Sequence, residues 1–365
     1  MTDKMNKIKF LLLCFLALSC TNASHSLSTR PYLSQVTENS IVVSWHTSVP
    51  TPTVVEYGET TAYGFSVRED KPKRLHSVTL TGLEPSREYH YRVLSGKSKQ
   101  DYTFRTAVMP GEPFTFAVYG DTRPNNENHV QVLRQILKAR PLFIINTGDM
   151  TKDAKDWRDY FSVICDKTSA GETVPIYSTM GNHDGVKYGN DALYFRYFAL
   201  PVNHFYRDEA YYSFTIGEAH FVALNSYLPF DPGSPQYEWL AEDLKKSAHI
   251  RWKIVFLHEP LYSTGKHGSN LNERMILSPL FEQGGVALVF SGHDHIYERT
   301  EKIRDVTYIV TGGGGSYLCS AAKAEWMAAS DQSHHFCQVR IEGKHCDVTM
   351  IRADGTTGDR FVLMR

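Results

Sequence analysis

The chain has 365 residues, 42% of them hydrophobic and 22% charged, with a formal net charge of -1 and a pI of about 7.0. That length supports one large core or two smaller ones, since domains usually hold ~100–200 residues. Near-neutral charge supplies no field that would draw the chain to nucleic acid or to an anionic membrane. Sixteen histidines is a high count, and 21 Tyr with 19 Phe suit β-rich structure.

Lys4, Lys7 and Lys9 precede an apolar run at residues 10–18. The run is too short to span a bilayer and is placed like the core of a signal peptide. It ends in Ala17-Leu18-Ser19-Cys20, followed by polar Thr21-Asn22-Ala23-Ser24. This resembles a bacterial lipoprotein lipobox, although Leu is more usual at the position of Ala17. Residues 1–20 are therefore expected to direct export to the periplasm or the cell surface, with lipid on Cys20; ordinary cleavage nearby is the alternative. Any membrane contact would then run through that N-terminal lipid.

The remaining cysteines are Cys165, Cys319, Cys337 and Cys346, with no CxxC spacing, which argues against a zinc–thiolate site. Buried free thiols are the favoured reading, with Cys319 paired to Cys337 or Cys346 as the alternative.

Residues 27–108 read as an all-β domain. Stretches 40–45 and 53–57 are rich in β-branched and aromatic residues. The turn Leu83-Glu84-Pro85 leads into a strand opening with alternating tyrosines at 89 and 91, which looks like the corner of a fibronectin type III-like sandwich. No cluster of ligand-type side chains occurs here, so the expected role is packing or positioning. Residues 109–113 read as a linker.

From residue 112 to 365 strands alternate with helices, which argues for a layered α/β domain. Buried strands are predicted at 114–119, 142–146, 174–179, 220–224, 252–257 and 286–290. Helices are predicted over 130–139, 235–246 and 271–282, and the tail from 336 is again strand-like. The ligand-type residues lie just past these strands. Asp121 follows the first through Gly120, and Asp149 the second through Gly148. Asn182, His183 and Asp184 follow the third through Gly181. His258 ends the strand at 252–257, while His293 and His295 follow the last through Gly292. Open α/β sheets bind ligands at such carboxyl ends. The glycines are expected to let the backbone turn tightly there.

Carboxylate, amide and imidazole together suit Zn, Mn or Fe, and with two metals one carboxylate must bridge them. Each residue alone has a plainer reading. An Asp after a Gly is usually a turn or cap, and a lone His at a strand end is usually just hydrogen-bonded. Five such placements in order favour a metal centre.

The series Gly120-Asp121, Gly148-Asp149, Gly181-Asn182-His183-Asp184, Val255-Phe256-Leu257-His258 and Gly292-His293-Asp294-His295 resembles the calcineurin-like metallophosphoesterases over about residues 114–312. The preceding β domain, with Tyr297 and Arg299 after the last histidine, resembles purple acid phosphatases in particular. The resemblance implies a metallophosphoesterase β-sandwich flanked by helices. It also implies two metal ions bridged by Asp149, one held by Asp121 and His295 and the other by Asn182, His258 and His293. It implies hydrolysis of a small-molecule phosphate ester by a metal-activated water, with His183 stabilising the phosphoryl oxygens or protonating the leaving group. Asp184 would orient His183 or serve as a turn residue. His267 matches a substrate-facing position or is a loop histidine.

Two departures stand out. Most calcineurin-like enzymes have His where this chain has Arg123, and purple acid phosphatases have Tyr where it has Lys152. The first metal thus lacks an expected ligand, and the purple charge-transfer band should be absent. His129 would complete that site, meet the substrate or face solvent. Arg123 would bind a phosphate oxygen or sit in a salt bridge at the rim. Arg123, His183 and His267 together favour a monoester. The alternatives are a phosphodiesterase, nucleotide pyrophosphatase or sulfatase on the same centre, and a surface lipoprotein binding module with a vestigial metal site.

Overall fold

The computed structural model describes residues 28–95, 100–123, 126–153, 157–185, 192–204 and 209–365. Residues 1–27, including Cys20 and the expected leader, lie outside the described residues.

The first five strands form an all-β domain: β1 (Tyr32–Ser34), β2 (Ser40–Gly58), β3 (Phe65–Thr81), β4 (Glu88–Val93) and β5 (Tyr102–Arg105). They pair in the order β1-β2-β4-β5, with β3 also on β2. Strand β2 covers 19 residues and keeps β3 as a partner along its length through register shifts near Thr51, pairing also with β1 at residues 42–44 and with β4 at residues 55–58. Trp45, Val55, Leu80, Tyr91 and Phe104 alternate inward and fill the core. At the 83–85 turn the Tyr89 hydroxyl accepts the Glu84 N–H at 2.8 Å.

The rest of the chain builds two stacked sheets. One contains β6 (Phe114–Tyr119), β7 (Ile144–Asn146) and β8 (Ile176–Ser178), mutually parallel. The other contains β9 (Tyr212–Ile216), β10 (Ala219–Ala223), β11 (Trp252–Phe256), β12 (Leu288–Ser291), β13 (Tyr297–Thr300), β14 (Thr307–Thr311) and β15 (Met327–Asp331). In it β10, β11, β12 and β14 run parallel. The chain then returns to the first sheet as β16 (His335–Glu342), β17 (His345–Arg352) and β18 (Thr357–Met364), joining at β6. Aromatic rings fill the space between the sheets: Phe116 and Phe143 meet Phe221 edge-on at 5.1 and 5.2 Å, and Tyr177 stacks on Phe214 at 3.8 Å. Helices Asn126–Lys138, Pro235–Lys246 and Leu271–Gly284 are among those that flank the sheets. The predicted helix at 271–282 starts at Leu271 as expected, because the Asn270 side chain accepts the Glu273 N–H as an N-cap.

All four cysteines among the described residues are free thiols; Cys165, Cys337 and Cys346 are buried.

The β domain and the two-sheet domain share one continuous core. Tyrosine hydroxyls bind across the seam: Tyr32 to Tyr197 O at 2.6 Å, Tyr91 to Glu172 O at 2.8 Å and Tyr177 to Val36 O at 3.1 Å. The Glu172 side chain lies in the same seam, fully buried, and its carboxylate oxygens have no hydrogen-bond partner among the described residues. Arg30 stands 3.8 Å away. Burial pushes this carboxyl up to about 8, against the pull of Arg30. A carboxyl raised in the fold is stable as the acid and costs stability as pH rises from its unfolded value toward 8. The melting temperature should therefore fall between about pH 5 and 8, and Glu172→Gln should flatten that fall and raise the melting temperature at pH 9.

Candidate metal centre

The ligand-type residues meet at the carboxyl ends of strands from both sheets. Asp121, Asp149 and Asn182 follow β6, β7 and β8, while His258 and the pair His293 and His295 follow β11 and β12. The backbone there is strained in a way that differs from expectation. Gly148 takes the expected positive φ, at 100°, but the ligand-type residues themselves also take left-handed φ: 58° at Asp121, 56° at Asp149 and 68° at His293. Non-glycine residues seldom sit there, and such strain concentrates at functional sites. The preceding glycines chiefly permit close approach. A Cβ on Gly148 would lie 2.8 Å from His258 Nδ1, and one on Gly292 would lie 2.3 Å from Asp121 Oδ2.

The Asp184 carboxylate organises this edge. One oxygen accepts the N–H groups of Asp149 at 2.7 Å and Gly181 at 2.9 Å, and the other those of Met150 at 2.8 Å and Thr151 at 3.0 Å. It therefore ties the turn after β7 to the turn after β8. Asp184 is a turn residue, bonded both ways to Gly181, but its carboxylate reaches further, because three of its four N–H donors come from the turn after β7. His183 is oriented from elsewhere, its Nδ1 donating to Lys152 O at 2.6 Å and its backbone N–H to Asp149 Oδ1 at 2.8 Å. That bond fixes the tautomer and leaves Nε2 as the working nitrogen.

Two clusters surround Asp149. In one, His258 Nε2 lies 3.1 Å from His293 Nδ1, 3.3 Å from Asn182 Oδ1 and 3.6 Å from Asp149 Oδ1. Ligand atoms of Asp149, His258 and His293 all fall within 4.8 Å of one another. In the other, His295 Nε2 stands 3.5 Å from Asp121 Oδ1, a buried oxygen that accepts no hydrogen bond among the described residues. The far nitrogens of two of these rings are spent on backbone: His258 Nδ1 donates to Thr147 O and His295 Nδ1 to Tyr317 O, each at 2.8 Å. Such bonds fix the tautomer in which Nε2 carries a lone pair, as a metal ligand requires. Burial, then His258 and His267, push His293 down to about 2, which also keeps its ring neutral. Against the rise that burial imposes, His258 and Arg123 hold the Asp149 carboxyl at about 2, ionised. Buried carboxylates, one with an orphaned oxygen, an amide oxygen and imidazole nitrogens converging on one spot are a donor set that fits cations such as Fe, Zn or Mn.

The remaining candidates divide. Arg123 lies in the site, but its Nε and Nη2 both donate to Asp149 Oδ2, at 3.0 and 2.5 Å. Of the two alternatives, the structure shows the salt bridge, made to the central carboxylate rather than at the rim. The His267 ring packs 4.1 Å from that of His293, tilted by 37°. His129 is corrected. It is 1% exposed, hydrogen-bonded through Nε2 to the Tyr119 hydroxyl at 3.1 Å and stacked on Tyr160, so it neither completes a metal site nor faces substrate or solvent. Its helix starts at Asn126 and turns this residue inward.

Sequence reading missed the support beneath His267. Asp294, between the two histidines of the last motif, is fully buried. Its carboxylate accepts the N–H groups of His267 at 2.8 Å and Gly268 at 3.1 Å and the Ser263 hydroxyl at 2.6 Å. Glu298 grips the same loop through the Thr264 N–H at 2.9 Å. The only signal was an acidic residue inside a histidine motif.

These roles separate two substitutions. Asp184→Asn removes an acceptor from buried N–H groups that each cost ~1–3 kcal/mol when unpaired. It should lower the metal content of the purified protein at both sites, measured by elemental analysis. His129→Phe should cost ~1 kcal/mol of stability through the lost Tyr119 bond, with metal content unchanged.

Residues 114–297 match the calcineurin-like phosphoesterase family, and residues 28–106 match the purple acid phosphatase N-terminal domain. Purple acid phosphatase 21 of Arabidopsis thaliana is 31% identical over 282 residues, 71% of this chain and 62% of that protein. Phosphoenolpyruvate phosphatase of Allium cepa is 27% identical over 306 residues, 75% of this chain and 63% of that one. The chain thus spans about three-fifths of the length of these relatives. In fold it is similar to a purple acid phosphatase from yellow lupin (Lupinus luteus) seeds, with a TM-score of 0.80 at 20% identity over 93% of this chain and 75% of that one. It is also similar to PhoD, with a TM-score of 0.69 at 12% identity over 94% and 90%. The chain belongs to the calcineurin-like phosphoesterase family.

Proposed function

We propose that the protein is a metal-dependent hydrolase of phosphate esters, acting on monoesters in preference to diesters. The observation that carries this reading is the convergence on Asp149 of two donor clusters, with His183 anchored beside them. Asp121, His295 and Asp149 would hold one ion, and Asn182, His258, His293 and Asp149 the other. Bound there, the ions supply Lewis acidity and a water of lowered pKa. The names of the relatives, all phosphatases, favour the monoester.

Hydrolysis breaks the bond from phosphorus to the leaving oxygen, makes one to a water oxygen, and delivers a water proton to the departing alcohol. With Nδ1 held by Lys152 O, His183 Nε2 is the group placed to carry that proton or, as imidazolium, to offset phosphoryl charge. Arg123 adds positive charge beside the centre and His267 a ring nitrogen beside His293, which suit the second negative charge of a monoester. The N–H groups of Arg123 not used on Asp149 serve that role. Residues 1–20 would export the enzyme and Cys20 would carry lipid, a reading that rests on their sequence alone.

With Mn, Zn or Fe added, an aryl phosphate should be hydrolysed faster than a bis-aryl phosphate. No turnover of either by metal-loaded protein would contradict the proposal. His183→Ala should keep both metals while lowering kcat ~10²–10⁴-fold; loss of metal in that variant would overturn its assigned role.

A further inference from the structure

Strand β10 is parallel to β11 and ends at the same edge as the ligand-bearing strands. The turn that follows it is tightly built. The Asn225 backbone exchanges hydrogen bonds with the buried Gln236 side chain, at 2.8 and 3.1 Å. The Asn225 side chain accepts the Tyr227 N–H at 2.9 Å, and Asn225 O accepts the Leu228 N–H at 3.2 Å. Ser226 Oγ accepts the backbone N–H groups of His258 at 3.1 Å and Glu259 at 3.0 Å, so the turn is clasped to a metal-ligand strand end.

This turn sets the Tyr227 ring 6.3 Å from the His258 imidazole. The Tyr227 hydroxyl is buried and has no hydrogen-bond partner among the described residues. Burial, then the charges of Glu259, Asp149, Asp121 and Asp184, push its pKa up, so the group stays a phenol and a donor. The sequence around it gives no reason for Tyr over Phe if packing were its whole task. A buried donor without an acceptor is costly, and a rigid turn that preserves one beside a charged centre implies that the acceptor arrives with a ligand.

We propose that Tyr227 is a substrate-binding residue whose hydroxyl donates a hydrogen bond to a phosphoryl oxygen of the bound ester. The inference rests on the phosphoesterase reading of the site. The phosphoryl group is anionic and rich in acceptors, while most of the surrounding carboxylate oxygens are held by other partners: Asp149 by Arg123 and the His183 N–H, Asp184 by its four N–H groups, Glu259 by Asn270, and Asp121 by the His293 N–H on one oxygen, with His295 3.5 Å from the other. A phosphoryl oxygen is thus the acceptor this donor lacks.

The experiment is calorimetric titration of inorganic phosphate into metal-loaded wild type and Tyr227→Phe, with metal content, thermal melts and aryl phosphate turnover measured on both. The variant should bind phosphate and turn over substrate (as kcat/KM) about 10- to 100-fold less well, the loss of one hydrogen bond to a charged group. Its metal content should be unchanged and its melting temperature without phosphate equal or higher. Equal phosphate affinity in the two proteins would overturn the Tyr227 assignment and leave the phosphoesterase reading standing. Lost metal or a lowered melting temperature in the variant would make Tyr227 a structural residue and also overturn it. A metal-loaded wild type that neither binds phosphate nor hydrolyses the ester would overturn both.

Discussion

Four backbone N–H groups converge on the carboxylate of Asp184, and the geometry of the centre depends on that convergence. Gly181 belongs to the turn after β8; Asp149, Met150 and Thr151 belong to the turn after β7. Binding all four holds Asp149 at a φ of 56°, where a non-glycine residue does not stay unaided. With Asp149 so held, its Oδ1 receives the His183 N–H and faces His258, while Oδ2 takes Arg123. Burial and the charge of Asp149 raise the Asp184 carboxyl, to about 7, and the N–H donors oppose that rise. The fold thus accepts a costly buried carboxylate beside another and covers the cost with backbone donors.

The electrostatics follow from that arrangement. Asp121, Asp149 and Asp184 are all fully buried at one edge of the molecule. Buried charges of one sign are tolerated only when cations or hydrogen-bond donors compensate them. Arg123 supplies one positive charge, and the carboxylates draw His258 and His295 toward the protonated form, so that protons stand where cations would otherwise compensate the charge. This is how a site built to receive cations differs from a structural salt-bridge network. Loop 263–268 is pinned by Asp294 and Glu298 in the same spirit, with carboxylates holding N–H and hydroxyl donors so that His267 stays over His293.

Much of this was legible in the sequence because each ligand-type motif is local to one strand end. Gly-Asp after a buried strand, or Gly-His-Asp-His after another, names both the residue and its place. The helix at Pro235–Lys246 was predicted with those limits because Pro at its first position and lysines in its last turn mark both ends. What escaped depends on chain segments meeting across sheets. Asp184 reads locally as a turn residue, since three of its four partners lie 33 to 35 positions away. His129 reads as a ligand at a helix start, but Tyr119 and Tyr160 close over it. For Arg123 a salt bridge was one of two readings, but not its partner, because the carboxylate it meets comes from the next strand. Tyr227 carries no motif; only the clasp of its turn to His258 and Glu259 places it beside the centre. The division of the parallel strands between two sheets was likewise invisible to periodicity, which reports burial but not the neighbour.

The central claim is that strand ends from both sheets build one centre for two cations around Asp149. Anomalous diffraction from crystals of the metal-loaded protein tests it most directly. Two anomalous peaks are predicted, both in contact with Asp149, one also touching Asp121 and His295, the other Asn182, His258 and His293. A single peak, or peaks away from these strand ends, would contradict the account.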